Sequence, residues 1–469
     1  MYDLVVIGAG PGGYEAALEA AKLGMKTAVV ENREVGGTCL NRGCVPAKAL
    51  LHAAELYRNV QNGERFGIIS TDVACDYEKI NFYKEEASKT LREGIEHLLK
   101  ANKVDLIRGT GIIVGSGKIK VTRDKKAEDI DAEKILIAAG SKPASLPIPG
   151  IDIPGIMTSD DMFRMEQIPK KLVIIGGGVI GVEFATVFSS FGTKVTIAEA
   201  EKSILPGMDS DISKNLKILL KKRGVDIHTD TFVQKIEKKD QGFLCSYLEK
   251  SKKGDKTGEI ETPYLLLAAG RTPNTDGLFN EGVTPETTRG RILVNQEFET
   301  SLPGVYAIGD VTGGTMLAHV ASAQGVCAVE LMNKKEPSID LAVVPSCVYT
   351  DPEIACVGIT EQEAKEKGID AFSGKALTHS NCKSVITKEE RGFAKIVVDR
   401  ETDCVIGAQI MCARATDMIG EMGTAIANHM TVKQLMRAMR AHPTYNELIG
   451  EALKISAEAQ VDRNTSIRK

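Results

Sequence analysis

One arrangement occurs twice in this chain and limits what it can fold into: an apolar run, a glycine-rich turn, a helix and a second apolar run ending on Glu. The first copy spans residues 2–31. YDLVVIG leads into the turn GAGPGG (8–13), a helical pattern of Ala and Leu runs from Tyr14 to Leu23, Gly24 closes it, and Lys26 to Glu31 is the next strand. The second copy spans 171–199: KLVIIG, the turn GGGVIG (176–181), a helix from Val182 to Phe191, Gly192, and a strand ending at Glu199. Two strands on either side of a helix pair in parallel through a right-handed crossover, so the chain must carry two α/β units.

Each turn has the spacing of a dinucleotide fingerprint. In the first, Gly8 permits the tight turn, Gly10 lets a pyrophosphate approach the backbone, and Gly13 lets the helix pack on the strand; Gly176, Gly178 and Gly181 repeat these roles. The helix N-terminus offers unsatisfied N–H groups to phosphate. Glu31 and Glu199 stand at the ends of the following strands, where a carboxylate binds a ribose hydroxyl. At Glu199 it also repels the extra phosphate of NADP, and Ala200-Glu201-Lys202 provides no Arg pair for it, so NAD is expected. Two such sites imply two cofactors, a nicotinamide dinucleotide and a flavin (FAD) able to relay a hydride. A second echo marks the unit edges: ILIAAG ends at Gly140 before Ser-Lys-Pro, and LLLAAG ends at Gly270 before Arg-Thr-Pro. Gly309-Asp310 precedes a helix expected from about Leu317, and an Asp there suits a polar ribitol chain. From Pro345 the texture changes to alternating strands and turns, with helices expected at 414–440 and 446–460.

The expected fold class is α/β: two Rossmann-like dinucleotide-binding domains plus a C-terminal α+β domain. The expected division is 1–147 and 271–342 for the first nucleotide domain, 148–270 for the second and 343–469 for the last.

Sulfur chemistry concentrates at GGTCLNRGCVPAKALL (36–51). The Cys39–Cys44 spacing is not that of a zinc site, and no second Cys or His pair lies nearby, so no metal is expected. Gly36, Gly37 and Gly43 let the two sulfurs approach. Cys44 falls where a helix should begin, and a thiolate there gains from the helix dipole. Lys48 follows one turn later, where an ammonium could stabilise a reduced flavin. The other cysteines (Cys75, Cys245, Cys327, Cys347, Cys356, Cys382, Cys404 and Cys412) are scattered singly and read as small buried side chains.

The motif around Cys39 and Cys44, the two fingerprints, Gly309-Asp310 and a C-terminal HPTYNE (442–447) resemble, in the same order, the pyridine nucleotide–disulfide oxidoreductases, most closely the branch that reoxidises lipoyl groups. The resemblance covers essentially the whole chain. It implies that His442 is the base that deprotonates a substrate dithiol and that Glu447 orients it. It implies that Cys44 is the sulfur facing the flavin, that Cys39 exchanges with substrate, and that Glu183 lies near the nicotinamide and Lys48. It further implies a C-terminal dimerisation domain, a homodimer in which His442 and Glu447 serve the other subunit's dithiol, and lipoyl-bearing partners from 2-oxo acid dehydrogenase complexes or the glycine cleavage system. Thr444 to Glu447 also fits a capping box for the last helix.

Other classes fit less well. A net charge of -4, interspersed charges and the absence of Trp argue against nucleic-acid binding. The most apolar window, 171–188, is interrupted by glycines and Glu183, which argues against a membrane span. No targeting segment is expected at Met1-Tyr2-Asp3, and a cytoplasmic location follows. Among sister reductases, those using NADP want basic residues near 200, and those reducing mercuric ion carry a C-terminal Cys pair that the tail QVDRNTSIRK lacks. A flavoprotein that only binds dinucleotides would leave Cys39, Cys44, His442 and Glu447 without a purpose.

Overall fold

The computed structural model describes residues 1–124 and 126–467. The first unit is built on β1 (Tyr2–Ile7), α1 (Pro11–Lys22) and β2 (Thr27–Glu31), followed by α2 (Gly37–Arg42), α3 (Cys44–Gln61) and α4 (Tyr77–Ala101). Then come β3 (Asp105–Arg108), β4 (Thr110–Gly115), β5 (Lys118–Arg123) and the long β6 (Lys126–Ile137). β1 pairs in parallel with β2 and with the second half of β6, whose first half pairs antiparallel with β5. The seventh strand of this sheet, Val305–Ala307, arrives from beyond the second unit and pairs in parallel with β6. It delivers Gly309-Asp310 to the same sheet edge as the first fingerprint.

The unbroken apolar character of β1 follows from burial on both faces. Leu4 and Val6 pack with α1 and α4, whereas Val5 and Ile7 pack with Ile113, Ile119 and Val121 of the β4–β5 hairpin. The second unit repeats this. Its strand Lys171–Ile175 lies between Lys194–Ala198 and Tyr264–Leu267, all parallel. Leu172 and Ile174 face the helical core, while Val173 and Ile175 face a separate three-stranded sheet. The helix of this unit spans Val179–Ser190 and so begins earlier than the expected Val182, because Gly178 is its N-cap and the third glycine packs inside its first turn.

The C-terminal unit is an antiparallel five-stranded sheet covered by helices Ala415–Ala427 and Glu447–Ile467. The expected single helix over 414–440 is divided. Asn428 caps the first part, His429 takes a left-handed φ of 49°, and Met430 accepts a hydrogen bond from Val405 N–H instead of continuing the helix. Only Val432–Leu435 then returns to helix. The scattered cysteines also divide: Cys245, Cys327 and Cys412 are buried as expected, but Cys382 is exposed and Cys75, Cys347, Cys356 and Cys404 are half-buried. Among the described residues no helix is long and apolar enough to cross a membrane.

Candidate active site

The two fingerprints have the same hydrogen-bonded geometry. Gly8 N–H donates to Val30 O at 2.8 Å and Gly176 N–H to Ala198 O at 2.9 Å. Both turn glycines have positive φ, 105° and 111°, and in both a Cβ would come within 2.4 Å of a carbonyl oxygen, of Ala138 and of Ala268. A Cβ on Gly13 would meet the Gly8 oxygen at 1.9 Å, and one on Gly181 the Gly176 oxygen at 2.0 Å, so each helix closes directly on its own turn. Glu31 accepts from Ala9 N–H at 2.8 Å and from Arg33 N–H at 2.7 Å. Glu199 accepts from the N–H groups of Gly177 and Glu201 in the corresponding way. Each carboxylate therefore locks its turn, and both residues line a common cavity.

Both turns open into one cavity of 1590 Å³, lined among others by Gly8, Gly10, Glu31, Gly176, Gly178, Glu199, Gly270, Gly309 and Asp310. That exceeds the roughly 300–1,000 Å³ of a site for one drug-sized ligand and leaves room for two dinucleotides. Among the described residues, and apart from its chain neighbours, no atom lies within 4 Å of where a Cβ on Gly178 would stand, leaving the approach to that helix N-terminus clear. The residues present therefore fit a flavin and a nicotinamide dinucleotide.

Cys39, Cys44 and Lys48 line the same cavity, as does Glu183. Cys39 lies on α2 and Cys44 opens α3, joined by Gly43. Both sulfurs are thiols, the reduced state of the pair. The hydrogen bond between them pushes Cys39 up, with burial adding to it, and holds Cys44 below the ordinary thiol range against burial; the Lys48 ammonium adds to the lowering. Cys44 is thus the more acidic member of the pair and Cys39 the less acidic one. Lys48 Nζ stands 3.0 and 2.9 Å from the two oxygens of buried Glu183, on the helix of the second unit.

His442 and Glu447 lie elsewhere. His442 Nδ1 is 2.9 Å from Glu447 Oε1, and Thr444 N–H donates to Glu447 Oε2 at 2.8 Å. These two contacts, the Thr444 N–H first, hold the Glu447 carboxyl below its usual range. Half of the expected capping box is present. Glu447 receives the Thr444 N–H, but the Thr444 hydroxyl donates to Ala441 O at 2.8 Å. The His442 side chain is 65% exposed and does not border the cavity of its own chain.

Several neighbours were not visible as site residues in the sequence. Ser141–Pro143 pairs antiparallel with Arg271–Pro273, so the two echoed segments that end the strands meet each other. There the Ser141 hydroxyl donates to Asp310 Oδ2 at 2.5 Å, and Arg271 Nε donates to Ser141 Oγ at 2.7 Å. Asp160 lies 3.8 Å from both Arg42 and Arg271. From the C-terminal unit Tyr349 enters the cavity, its backbone N–H donating to Glu183 Oε1 at 3.0 Å and its ring centroid 4.4 Å from Lys48 Nζ. The repeated ILIAAG–SKP and LLLAAG–RTP pattern was the one available signal for Ser141 and Arg271; nothing local marked Asp160 or Tyr349.

A dithiol set in the wall of a cavity shared by two dinucleotide folds defines a flavoprotein disulfide oxidoreductase. The chain belongs to the pyridine nucleotide-disulphide oxidoreductase family: the family model matches residues 2–325, and the model of the family's dimerisation domain matches residues 344–453. This family binds FAD and a pyridine nucleotide, and its C-terminal domain supports a homodimer. The chain is similar to a dihydrolipoyl dehydrogenase of Bacillus subtilis, 40% identical over 96% of this chain and 97% of the relative. A dihydrolipoyl dehydrogenase of Geobacillus stearothermophilus is 38% identical over 97% and 96%. Among solved structures it resembles LpdA of Mycobacterium tuberculosis, with a TM-score of 0.87 at 28% identity, covering 96% of this chain and 99% of that one. The HOCl-induced flavoprotein disulfide reductase RclA of Escherichia coli gives 0.85 at 29%, covering 97% and 100%.

Proposed function

We propose that this protein acts as a dihydrolipoyl dehydrogenase, oxidising the dithiol of lipoyl groups carried on partner proteins and reducing NAD. The observation that carries the reading is the shared cavity, which Cys39, Cys44 and Lys48 line together with both fingerprints. Identity of 38–40% over nearly the full length to dihydrolipoyl dehydrogenases supports the substrate. In this reading residues 1–147 and 271–342 hold FAD, 148–270 hold NAD, and 343–469 form the dimer.

A substrate thiolate attacks Cys39 of the Cys39–Cys44 disulfide. The new S–S bond joins substrate to Cys39, and Cys44 leaves with the electron pair as a thiolate. His442 of the second subunit takes the substrate proton, with Glu447 fixing its ring. The second substrate sulfur then attacks the mixed disulfide, releasing oxidised substrate and leaving Cys39 protonated. Lys48 stabilises the charge on Cys44 and near the flavin ring, and Glu183 keeps Lys48 in place. Glu31 and Asp310 hold the polar parts of FAD, and Glu199 holds the NAD ribose. FAD, when bound, supplies the two-electron carrier between the Cys44 thiolate and the nicotinamide.

The likeness to RclA favours one alternative, a sister reductase with another disulfide substrate. A single assay series separates them: NADH and NADPH oxidation with lipoamide, oxidised glutathione and mercuric ion. Fast turnover with NADH and lipoamide alone is expected. Preference for another acceptor would replace the lipoyl reading.

A further inference from the structure

We propose that Tyr349 is a positioning residue for the redox pair: its ring and its backbone N–H together hold the Lys48–Glu183 ion pair at the dithiol. The inference rests on the disulfide-exchange reading of Cys39 and Cys44.

Three units meet at this point. Lys48 comes from α3, one turn after Cys44; Glu183 comes from the helix Val179–Ser190; Tyr349 follows the strand Ser346–Val348 of the C-terminal unit. Lys48 is a cation that acts on Cys44, and its side chain is 32% exposed, so without restraint a long flexible ammonium would leave for water. Two contacts oppose this. Glu183 binds it at 2.9 Å, and the Tyr349 ring lies 4.4 Å from Nζ, within the range of a cation–π interaction. The Tyr349 backbone N–H in turn donates to Glu183 Oε1 at 3.0 Å, a second bond that restrains the carboxylate. The ring, not the hydroxyl, is the working part: burial pushes the Tyr349 phenol up to about 12, so it stays neutral. The titratable groups facing this cluster include Cys39, Cys44, Lys48, Glu183, Cys347, Glu353 and Asp417. Burial first, then Glu353, push Cys347 up to about 11, so at neutral pH Cys347 remains an uncharged thiol.

The division between ring and backbone yields a clean test in the reduced holoenzyme. The pH midpoint of Cys44 is read by its rate of alkylation with iodoacetamide, located by peptide mass, and by the long-wavelength absorbance between thiolate and flavin. Tyr349→Phe keeps the ring and should keep the wild-type midpoint. Tyr349→Leu keeps the N–H but removes the aromatic face, and should raise the midpoint by about half a pH unit or more. If the Leu variant does not fold, Tyr349→Met, with similar bulk and no aromatic face, takes its place with the same expectation. Equal midpoints in wild type, Phe and Leu (or Met) would overturn the role of Tyr349 alone. A wild-type Cys44 that titrates like an ordinary thiol and shows no long-wavelength band would overturn the exchange reading as well.

Discussion

Lys48 and Glu183 face each other at 2.9 Å across the boundary between the two nucleotide-binding units, one beside the dithiol and the other on the second fingerprint helix. Glu183 is 6% exposed, so its charge depends on this partner and on the Tyr349 N–H. Charge at the sulfur pair is thus coupled to the packing of the second unit on the first.

The two fingerprints share one geometry, so substitution can tell their ligands apart. Gly8→Ala drives a Cβ into the Ala138 carbonyl at a φ of 105° and should yield a protein that loses its yellow flavin on dialysis. Gly176→Ala makes the same clash with Ala268 but should retain flavin and raise KM for NADH. The visible spectrum and NADH kinetics of the two purified variants check this. The reverse pattern would exchange the two sites.

His442 is exposed and apart from the cavity of its own chain. Cys44→Ser and His442→Ala homodimers should each lose lipoamide turnover. Unfolded together and refolded as a mixture, they should recover about a quarter of wild-type activity, because half the dimers hold one site with both residues intact. No recovery would place His442 and Cys44 in one chain's site.

The reduced pair should titrate asymmetrically. Because Cys44 lies below the ordinary thiol range, its alkylation midpoint in the reduced protein should fall below about 8.5, while Cys39 reacts only at higher pH. For a depressed acid the linked stability is present above the unfolded value and is lost as pH falls through the folded one. Urea unfolding of the reduced protein should therefore show a Cys44-dependent loss on going from alkaline to neutral pH, absent in Cys44→Ser.

The second unit is tied to the C-terminal sheet by buried charge. Lys395 Nζ lies 2.9 Å from Asp209 and 2.7 Å from Asp211, and Lys375 lies 2.9 Å from Asp211. Burial pushes the Asp211 carboxyl up, but Lys395 and Lys375 outweigh it and hold it at about 2. Its contribution should be complete above pH ~4 and vanish as pH falls toward 2. Lys395→Met leaves the buried Asp209 carboxylate without its cation, with the Asp211 N–H still bonded to it, and should cost about 3–5 kcal/mol in urea unfolding at pH 7. A change below 1 kcal/mol would show that water repairs the gap.

Much of this was legible in the chain. GAGPGG and GGGVIG announced their turns because Gly8 and Gly176 take a positive φ that other residues rarely adopt, and because Gly13 and Gly181 close on them within the same turn. Cys39 and Cys44 were legible as a pair because their spacing and glycines act locally. The break at Asn428 and His429 was not legible, since Met430 O is taken by the N–H of Val405 on a separate strand; the early start of the helix Val179–Ser190 is local, set by Gly178 as its N-cap. Burial held for Cys245, Cys327 and Cys412 but not for the other scattered cysteines, because exposure, as at Cys382, belongs to the packed surface.

By itself the sequence determined two strand–turn–helix units, a dithiol between them and an acid ending each second strand, because backbone sterics and hydrophobic periodicity act over short range. Only the tertiary structure decided that both turns open into one cavity, that Val305–Ala307 returns to the first sheet, and that Lys48, Glu183 and Tyr349 meet. Those relationships depend on where separate units come to rest against each other, and that is set by buried area and charge pairing summed over the whole chain.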